Sequence, residues 1–178
     1  MIKFNAHIKG IAPLLFNRYP EEDNPEGKSK GKVAQLSKAE QVDKSVYKLE
    51  NGHLYQPAEH IVGAMVKAAT TFNLAGRKSY KDVVKGGVFV DPMKIPHLKD
   101  GLQEDWRSVV IPSTRGRVMK GRGRLDEWEL KFLVTCIDPR AEKNAISEIL
   151  NYAGMYVGIG DYRPRYGRFE VVSTEEVK

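Results

Sequence analysis

The chain has 178 residues and a mass of 20.1 kDa, and 41% of its residues are hydrophobic, which predicts one globular domain and argues against overall disorder. Its net charge of +6 and its pI near 9.3 favour an anionic partner, with nucleic acid ahead of a membrane surface. The single cysteine, Cys136, excludes a disulfide framework and a cysteine-rich metal site, and it is expected in the core. No segment resembles a signal peptide or a membrane span, so a cytoplasmic protein is expected.

The first predicted element is a half-buried strand over residues 2–9, where apolar and polar residues alternate. An apolar extension, interrupted by Pro13, continues it to Phe16. Residues 18–45 lose this alternation and are predicted to be a polar loop that is poorly ordered or stabilised by a partner. The Asn51-Gly52 pair then predicts a hairpin, because a two-residue turn of this type needs positive φ at both positions.

A helix is predicted over residues 61–72, because apolar residues recur there at intervals of three and four. Pro57, just before it, suits a first helical turn. His60 and Lys67 lie outside the apolar stripe, so each is available to a ligand or simply exposed.

Residues 76–125 are interpreted as an insertion with an irregular start, a short strand over 86–90 and a connection over 95–106. It ends in five cations among three glycines, with no carboxylate before Asp126; these cations are Arg115, Arg117, Lys120, Arg122 and Arg124. Flexible glycines would let them follow a phosphate backbone, whereas a solubilising hairpin normally mixes the two signs of charge. An exposed basic β-ribbon or loop tip that contacts nucleic acid is therefore expected, with residues 113–125 poorly ordered or stabilised by a partner.

A nearly apolar central strand is predicted over residues 128–137, and Asp138-Pro139 is interpreted as the start of a second helix that ends at Val157. A last strand over 169–172 precedes a polar tail. Between helix and strand lies a segment of residues 158–168, here called the glycine-rich loop.

The glycine-rich loop combines three glycines that permit positive φ with arginines and tyrosines suited to a polyanion. The glycines are Gly158, Gly160 and Gly167, the cations are Arg163, Arg165 and Arg168, and Tyr162 and Tyr166 offer surfaces for base stacking. The alternative is a helix cap followed by a tight turn with solvated arginines.

The order of these elements predicts an α+β fold, a ferredoxin-like (RRM-type) βαββαβ antiparallel sheet with two helices on one face. Residues 1–178 would form a single domain with insertions at about 18–56 and 76–125. The predicted core includes Phe4, Ile8, Phe132, Val134 and Val171.

Two segments carry a resemblance to a known family. Residues 55–65 open the first helix with a proline and a Gly-Ala pair, and Gly158-x-Gly160 is followed by Tyr166-Gly167-Arg168-Phe169. With the decorated βαββαβ order, these motifs resemble the RAMP superfamily of CRISPR-associated proteins. The cation that follows the Gly-Ala pair in that family corresponds to Lys67, one place later here.

The resemblance implies binding of single-stranded RNA, with DNA as an alternative, by a subunit that assembles along a guide RNA with copies of itself or with other proteins. No cofactor, resident metal or membrane contact is expected. A competing hypothesis within the superfamily is an endoribonuclease that cleaves repeat RNA, for which His60 with Lys67 is the only candidate pair. A metal-dependent cut through Asp23 or Asp43 is equally open. Because the sequence contains no general acid–base constellation, no hydrolysis of RNA is expected without partners. A third hypothesis is an assembly protein whose basic surface binds an acidic partner protein.

Overall fold

The computed structural model describes residues 1–18, 37–74, 76, 78–110 and 114–177. Within these residues the chain forms nine strands, which are β1 (Ile2–Gly10), β2 (Leu14–Leu15), β3 (Tyr55–Pro57), β4 (Val88–Asp91), β5 (Lys94–Pro96), β6 (Gln103–Val110), β7 (Arg117–Leu125), β8 (Glu129–Cys136) and β9 (Phe169–Glu176). The same residues contain four α-helices, which are α1 (Lys38–Ser45), α2 (Ala58–Ala68), α3 (Lys81–Gly87) and α4 (Lys143–Tyr152). A 3₁₀ turn (Ala69–Thr71) extends α2, and a π turn (Ala153–Val157) extends α4.

The largest sheet has four strands in the order β4-β8-β1-β9, and every neighbouring pair is antiparallel. In sequence, α2 lies between β1 and β4, and α4 lies between β8 and β9. Because α2 and α4 pack against each other, they share one face of the sheet. The predicted α+β class with an antiparallel sheet is confirmed.

The core lies between this sheet and the two helices. Alternate residues of β1 and β8 point into it, so that Phe4, Ile8, Phe132 and Val134 are buried as predicted, while Val171 is half-buried against its edge. From the helices, Ile61 and Met65 of α2 meet Ile149 and Leu150 of α4 in the same apolar cluster. Cys136 is a buried free thiol, also as predicted.

A second sheet has three strands in the order β2-β7-β6. Strands β6 and β7 pair antiparallel from Gln103–Arg124 to Val110–Arg117, and together they are called the basic ribbon below. The expected β-ribbon is therefore present. The expectation of poor order is wrong for Arg117–Leu125, because β7 pairs along its whole length with β6 and at one end with β2. Residue 113 lies outside the described residues.

The N-terminal half differs from the prediction in three places. Residues 38–45, expected to belong to a loop, form α1, whose start is fixed by a capping box between Ser37 and Glu40. The expected loop residues 19–36 lie outside the described residues. The apolar extension after Gly10 leaves the first strand, and Leu14–Leu15 pair with β7 instead. The turn at Asn51-Gly52 is present, but only Gly52 has positive φ, and the flanking pairing is limited to a Lys48–Leu54 bridge.

The remaining differences concern helix bounds. Helix α2 begins at Ala58, three residues before the predicted start. Helix α3 was not predicted, because Gly86 and Gly87 suggested a strand; Gly87 instead brings the end of α3 against Asp138. The connection expected over 95–106 contains β5 and the start of β6. Asp138 caps a turn by accepting the Arg140 backbone N–H, and α4 starts only at Lys143. No helix in the described part of the chain is long and apolar enough to cross a membrane.

Candidate nucleic-acid interface

The glycines of the basic ribbon serve close packing. A Cβ at Gly121 would overlap the Trp106 ring on the neighbouring strand, and a Cβ at Gly123 would overlap Val46. The Gly123 N–H also donates to the Ser45 hydroxyl at 2.8 Å, which ties the ribbon to the end of α1. These glycines therefore hold the ribbon against the domain, contrary to the flexible tip that the sequence suggested.

The glycine-rich loop is fixed to the segment around β2 by backbone hydrogen bonds. The Gly167 N–H donates to the Pro13 carbonyl at 2.7 Å, and the Asp161 N–H donates to the Leu15 carbonyl at 2.9 Å. Gly158, Gly160 and Gly167 all have positive φ, as expected. A Cβ at Gly167 would also overlap the Ile159 carbonyl oxygen, so the close backbone approach predicted for this loop is real.

The basic ribbon and the glycine-rich loop contact each other directly. Arg122 of β7 is 5% exposed, and its Nε lies 2.8 Å from Oδ2 of Asp161 in the loop. Arg107 of β6 donates to the Tyr166 hydroxyl, and its guanidinium carbon lies 4.8 Å from the centre of the Tyr166 ring. Strand β2 pairs with β7, and the segment around β2 accepts backbone hydrogen bonds from the glycine-rich loop. The two basic segments therefore converge on one side of the molecule.

Tyr162 lies at the centre of this contact. Its ring centre is 5.4 Å from the Arg107 guanidinium carbon and 5.1 Å from that of Arg122, which places it against both strands of the ribbon. Its φ of 55° is unusual for a residue with a side chain. The two tyrosines of the loop therefore already contact arginines of the same chain.

Two of the predicted nucleic-acid contacts are neutralised inside the protein. Arg124 pairs with Asp105 at 3.3 Å and with Asp126 at 2.9 Å, and Arg122 pairs with Asp161. Asp105 also accepts from Arg107 at 2.9 Å. The hydrogen bond from Arg107 and the one from Arg124 lower the pKa of the Asp105 carboxyl, so this buried acid stays ionised beside the arginines.

Other predicted cations remain without a carboxylate partner. Within the part of the chain that the structure describes, five of the predicted guanidinium groups form no ion pair, those of Arg115, Arg117, Arg163, Arg165 and Arg168, and Arg18 forms none either. Lys120 donates to the Asn17 side chain at 2.8 Å, and burial together with nearby Arg122 lowers the pKa of its ammonium group. Lys67 is exposed in the last turn of α2 and forms no ion pair in the same described residues.

The candidate general base, His60, lines a small cleft between α2 and the glycine-rich loop. The cleft holds about 220 Å³, and Arg163, Asp161 and Gln56 also line it. The Gln56 amide is hydrogen-bonded to His60 Nδ1, and the His60 ring lies edge-on to Tyr47 at 5.6 Å. Burial, and then the charge of Arg163, lowers the pKa of His60.

The structure shows how possible metal ligands, including the acids considered for metal-dependent cleavage, are placed in the described part of the chain. Among the described residues, no three His, Cys, Asp or Glu side chains are grouped so that they could hold a metal ion. Asp43, one of the two acids considered for metal-dependent cleavage, is paired with Lys48. Asp23, the other, lies outside the described residues.

Several residues of the interface were missed by sequence reasoning. Asp105 and Arg107 lie in a polar strand whose sequence contains no motif, and Asp161 is one acid inside a basic loop. Their importance comes from pairing between segments that are far apart in the chain. Only the exact register of β6 against β7 could have identified Asp105 and Arg107 as residues of the interface.

Comparison with solved structures finds a chain of similar fold. The chain matches a chain in the cryo-EM structure of the type III-B Cmr-beta bound to cognate target RNA, with a TM-score of 0.63 and 11% sequence identity. The match covers 99% of this chain and 61% of that one, so the chain spans less than two thirds of its neighbour's length. The two chains share a fold. The resemblance inferred from the sequence is thereby confirmed at the level of fold.

A second match, to a CRISPR protein from Archaeoglobus fulgidus, covers all of this chain and 65% of that one at 15% identity, with a TM-score of 0.42. No protein-family model matches the chain. No curated protein matches it by sequence either.

Proposed function

We propose that the protein binds single-stranded nucleic acid, RNA before DNA, along the surface where the basic ribbon meets the glycine-rich loop. The observation that carries this proposal is the direct contact of the two basic segments through Arg122–Asp161 and Arg107–Tyr166. Five of the predicted arginines, at the outer end of the ribbon and in the loop, have no carboxylate partner in the described residues. Unpaired guanidinium groups suit a phosphate backbone, because each contact releases condensed counterions.

In this proposal the four-stranded sheet with α2 and α4 is a ferredoxin-like, RRM-type βαββαβ domain. The strand order β4-β8-β1-β9 supports it, because the first and third strands of the motif, β1 and β8, are then central. The protein would act as a subunit of a CRISPR effector assembly in the cytoplasm, with other proteins or further copies as partners. The fold shared with a chain of the RNA-bound Cmr-beta supports this role.

Binding of a labelled single-stranded oligonucleotide, followed by fluorescence anisotropy, tests the proposal. We expect Arg115/Arg117→Ala on the ribbon and Arg163/Arg165→Ala on the loop to weaken binding severalfold each. The matched control is Lys9/Lys131→Ala, which removes the same charge from exposed positions on the sheet strands β1 and β8 and should bind like the parent. Absence of binding by the parent, or equal binding by all three variants, would overturn the proposal and favour an assembly protein with an acidic protein partner.

An endoribonuclease remains the second candidate function, because His60 and Arg163 line the same cleft. A neutral imidazole beside a guanidinium could accept a proton from a ribose hydroxyl while the cation binds the phosphate. The low pKa of His60 keeps its ring neutral at pH 7. Incubation of labelled single-stranded RNA with and without Mg²⁺ tests this. We expect no cleavage; cleavage that disappears in His60→Ala would put the enzyme first.

A further inference from the structure

A second surface flanks the glycine-rich loop, on the side of α4. Met155, Tyr156, Pro164, Arg165 and Arg168 line a shallow hollow of about 410 Å³. Tyr156 is 64% exposed and Met155 is 38% exposed, so both offer apolar surface to solvent at this hollow. This volume falls within the roughly 300–1,000 Å³ of small-ligand sites.

The exposure of Tyr156 follows from the local backbone. After Tyr152 the helix changes to a π turn, Ala153–Val157, in which Ala153 and Val157 remain buried while Met155 and Tyr156 face outward. Single π turns of this kind often occur at functional sites.

One face of the Tyr156 ring is supported by the protein. Its centre lies 4.5 Å from that of Tyr152 with an angle of 34° between the planes, and Tyr152 is held edge-on by Phe72 at 5.6 Å. No other aromatic ring of the described residues contacts Tyr156. Tyr156 is therefore the last ring of a short aromatic stack, and its other face is open to a further ring.

The charge beside this ring is positive. Arg165 is exposed and Arg168 is half-exposed, and in the described part of the chain neither has an acidic partner. The Arg168 Nε is buried and makes no hydrogen bond to any residue that the structure describes. An open aromatic face beside two free guanidinium groups is complementary to a base and its phosphates.

We propose that Tyr156 is a stacking platform for a base of the bound single strand, and that Arg165 and Arg168 bind the phosphates on either side of that base. This inference rests on the proposed function and names the aromatic group that it uses. Tyr166 and Tyr162, which the sequence suggested for stacking, already contact Arg107, whereas Tyr156 has an open face. The strand would then pass from the ribbon over the glycine-rich loop to the end of α4.

Two variants of Tyr156 test the inference in the full chain, with single-stranded oligonucleotides as the probe. Tyr156→Leu should weaken binding about 5-fold to 150-fold, as expected for the loss of one base–aromatic stack. Tyr156→Phe keeps the ring and should bind within twofold of the parent. The matched control is Phe89→Leu, which removes a 51% exposed ring from β4 and should not change affinity.

Photo-crosslinking of a 4-thiouridine oligonucleotide to the parent protein tests the same site without any substitution, so misfolding of a variant cannot affect the result. We expect mass spectrometry to place the crosslink on Tyr156 or Met155. If the parent binds but Tyr156→Leu binds equally well, or if the crosslinks avoid this hollow, the stacking platform is wrong and the proposed function stands. If the parent does not bind at all, the proposed function itself fails.

Discussion

At the scale of single residues, the buried side chain of His97 should make the stability of the protein depend on pH. His97 is 1% exposed, and neither ring nitrogen has a hydrogen-bond partner among the described residues. Its ring is edge-on to Phe16 at 5.7 Å and to Trp128 at 6.5 Å. Burial, with a smaller effect of His53, lowers its pKa from 6.5 to about 4. A charged imidazole is therefore disfavoured in the folded protein.

The stability of the protein should consequently depend on pH below neutrality. Between pH 6.5 and pH 4 the unfolded chain binds a proton at His97 that the folded chain does not, so the free energy of unfolding falls as the pH falls. The loss from this group is at most about 3 kcal/mol. Urea unfolding at pH 7, 5.5 and 4.5 measures it.

We expect His97→Leu to have a flatter pH dependence than the parent, because the titrating group is gone. His7→Gln is the control, since His7 is only half-buried and lies 3.1 Å from Glu129, away from His97, so this variant should leave the effect of His97 in place. Equal pH dependence in His97→Leu and the parent would show that His97 does not titrate in this way.

At the scale of elements, the strongly periodic segments were predictable and the polar junctions were not. The alternation in β1 and β8 and the spacing in α2 and α4 each reflect one buried face, so sequence alone placed them. Helices α1 and α3 are only eight and seven residues long, and their stability depends on contacts with β7 and α2 that a local pattern does not contain.

The basic ribbon illustrates the same limit for the candidate site. Its cations were predicted correctly as a group, but the sequence gives no sign that Asp105 and Asp161 would neutralise Arg122 and Arg124. Those acids lie far away along the chain and meet the arginines only after the strands pair. The folded structure is therefore needed to show which cations lack a carboxylate partner.

The ion pair between Arg122 and Asp161 should be essential for the junction between ribbon and loop. Asp161→Asn leaves Arg122, 5% exposed, without its charged partner. Removing one member of a buried pair costs roughly 3–5 kcal/mol, and we expect somewhat less here because the Asp161 side chain is 26% exposed. Urea unfolding at neutral pH measures the loss.

Asp126→Asn is the matched control, because it removes an equal charge from a pair with Arg124 at the surface, where Asp126 is 44% exposed. Its cost should stay below about 1 kcal/mol. The double variant Arg122→Met/Asp161→Asn should regain part of the stability that Asp161→Asn loses, since no uncompensated charge stays buried. Equal losses for Asp161→Asn and Asp126→Asn would mean that the buried pair does not hold the loop.

At the scale of the whole molecule, the described arginines fall into two sets. Those of the paired set contact a carboxylate, and those of the free set do not. In the described chain, carboxylates hold the arginines on the inner part of the ribbon, while the free ones lie at its outer end, on the loop and at Arg18. Net charge alone, +6 for the chain, does not make this distinction. Only the free set can replace counterions on a nucleic acid without first breaking an ion pair.

The salt dependence of binding should therefore count the free set. Apart from Arg18, the arginines without an acidic partner in the described residues are Arg115, Arg117, Arg163, Arg165 and Arg168, all at the end of the ribbon or in the glycine-rich loop. If all five contact phosphates of a single strand, the logarithm of the association constant should fall against the logarithm of salt concentration with a slope near about −3.5, at roughly 0.7 counterion per contact. Filter binding across a salt series gives this slope.

The decisive comparison is between a free and a paired arginine of the same strand. Arg117→Gln should flatten the slope by roughly 0.7, because one phosphate contact is lost. Arg124→Gln removes the same charge seven positions further along β7, but its guanidinium is held by Asp105 and Asp126, so the slope should not change. A slope that flattens equally in both variants would mean that the paired arginines also reach the phosphates, because the strand would then have to displace the carboxylates that hold them.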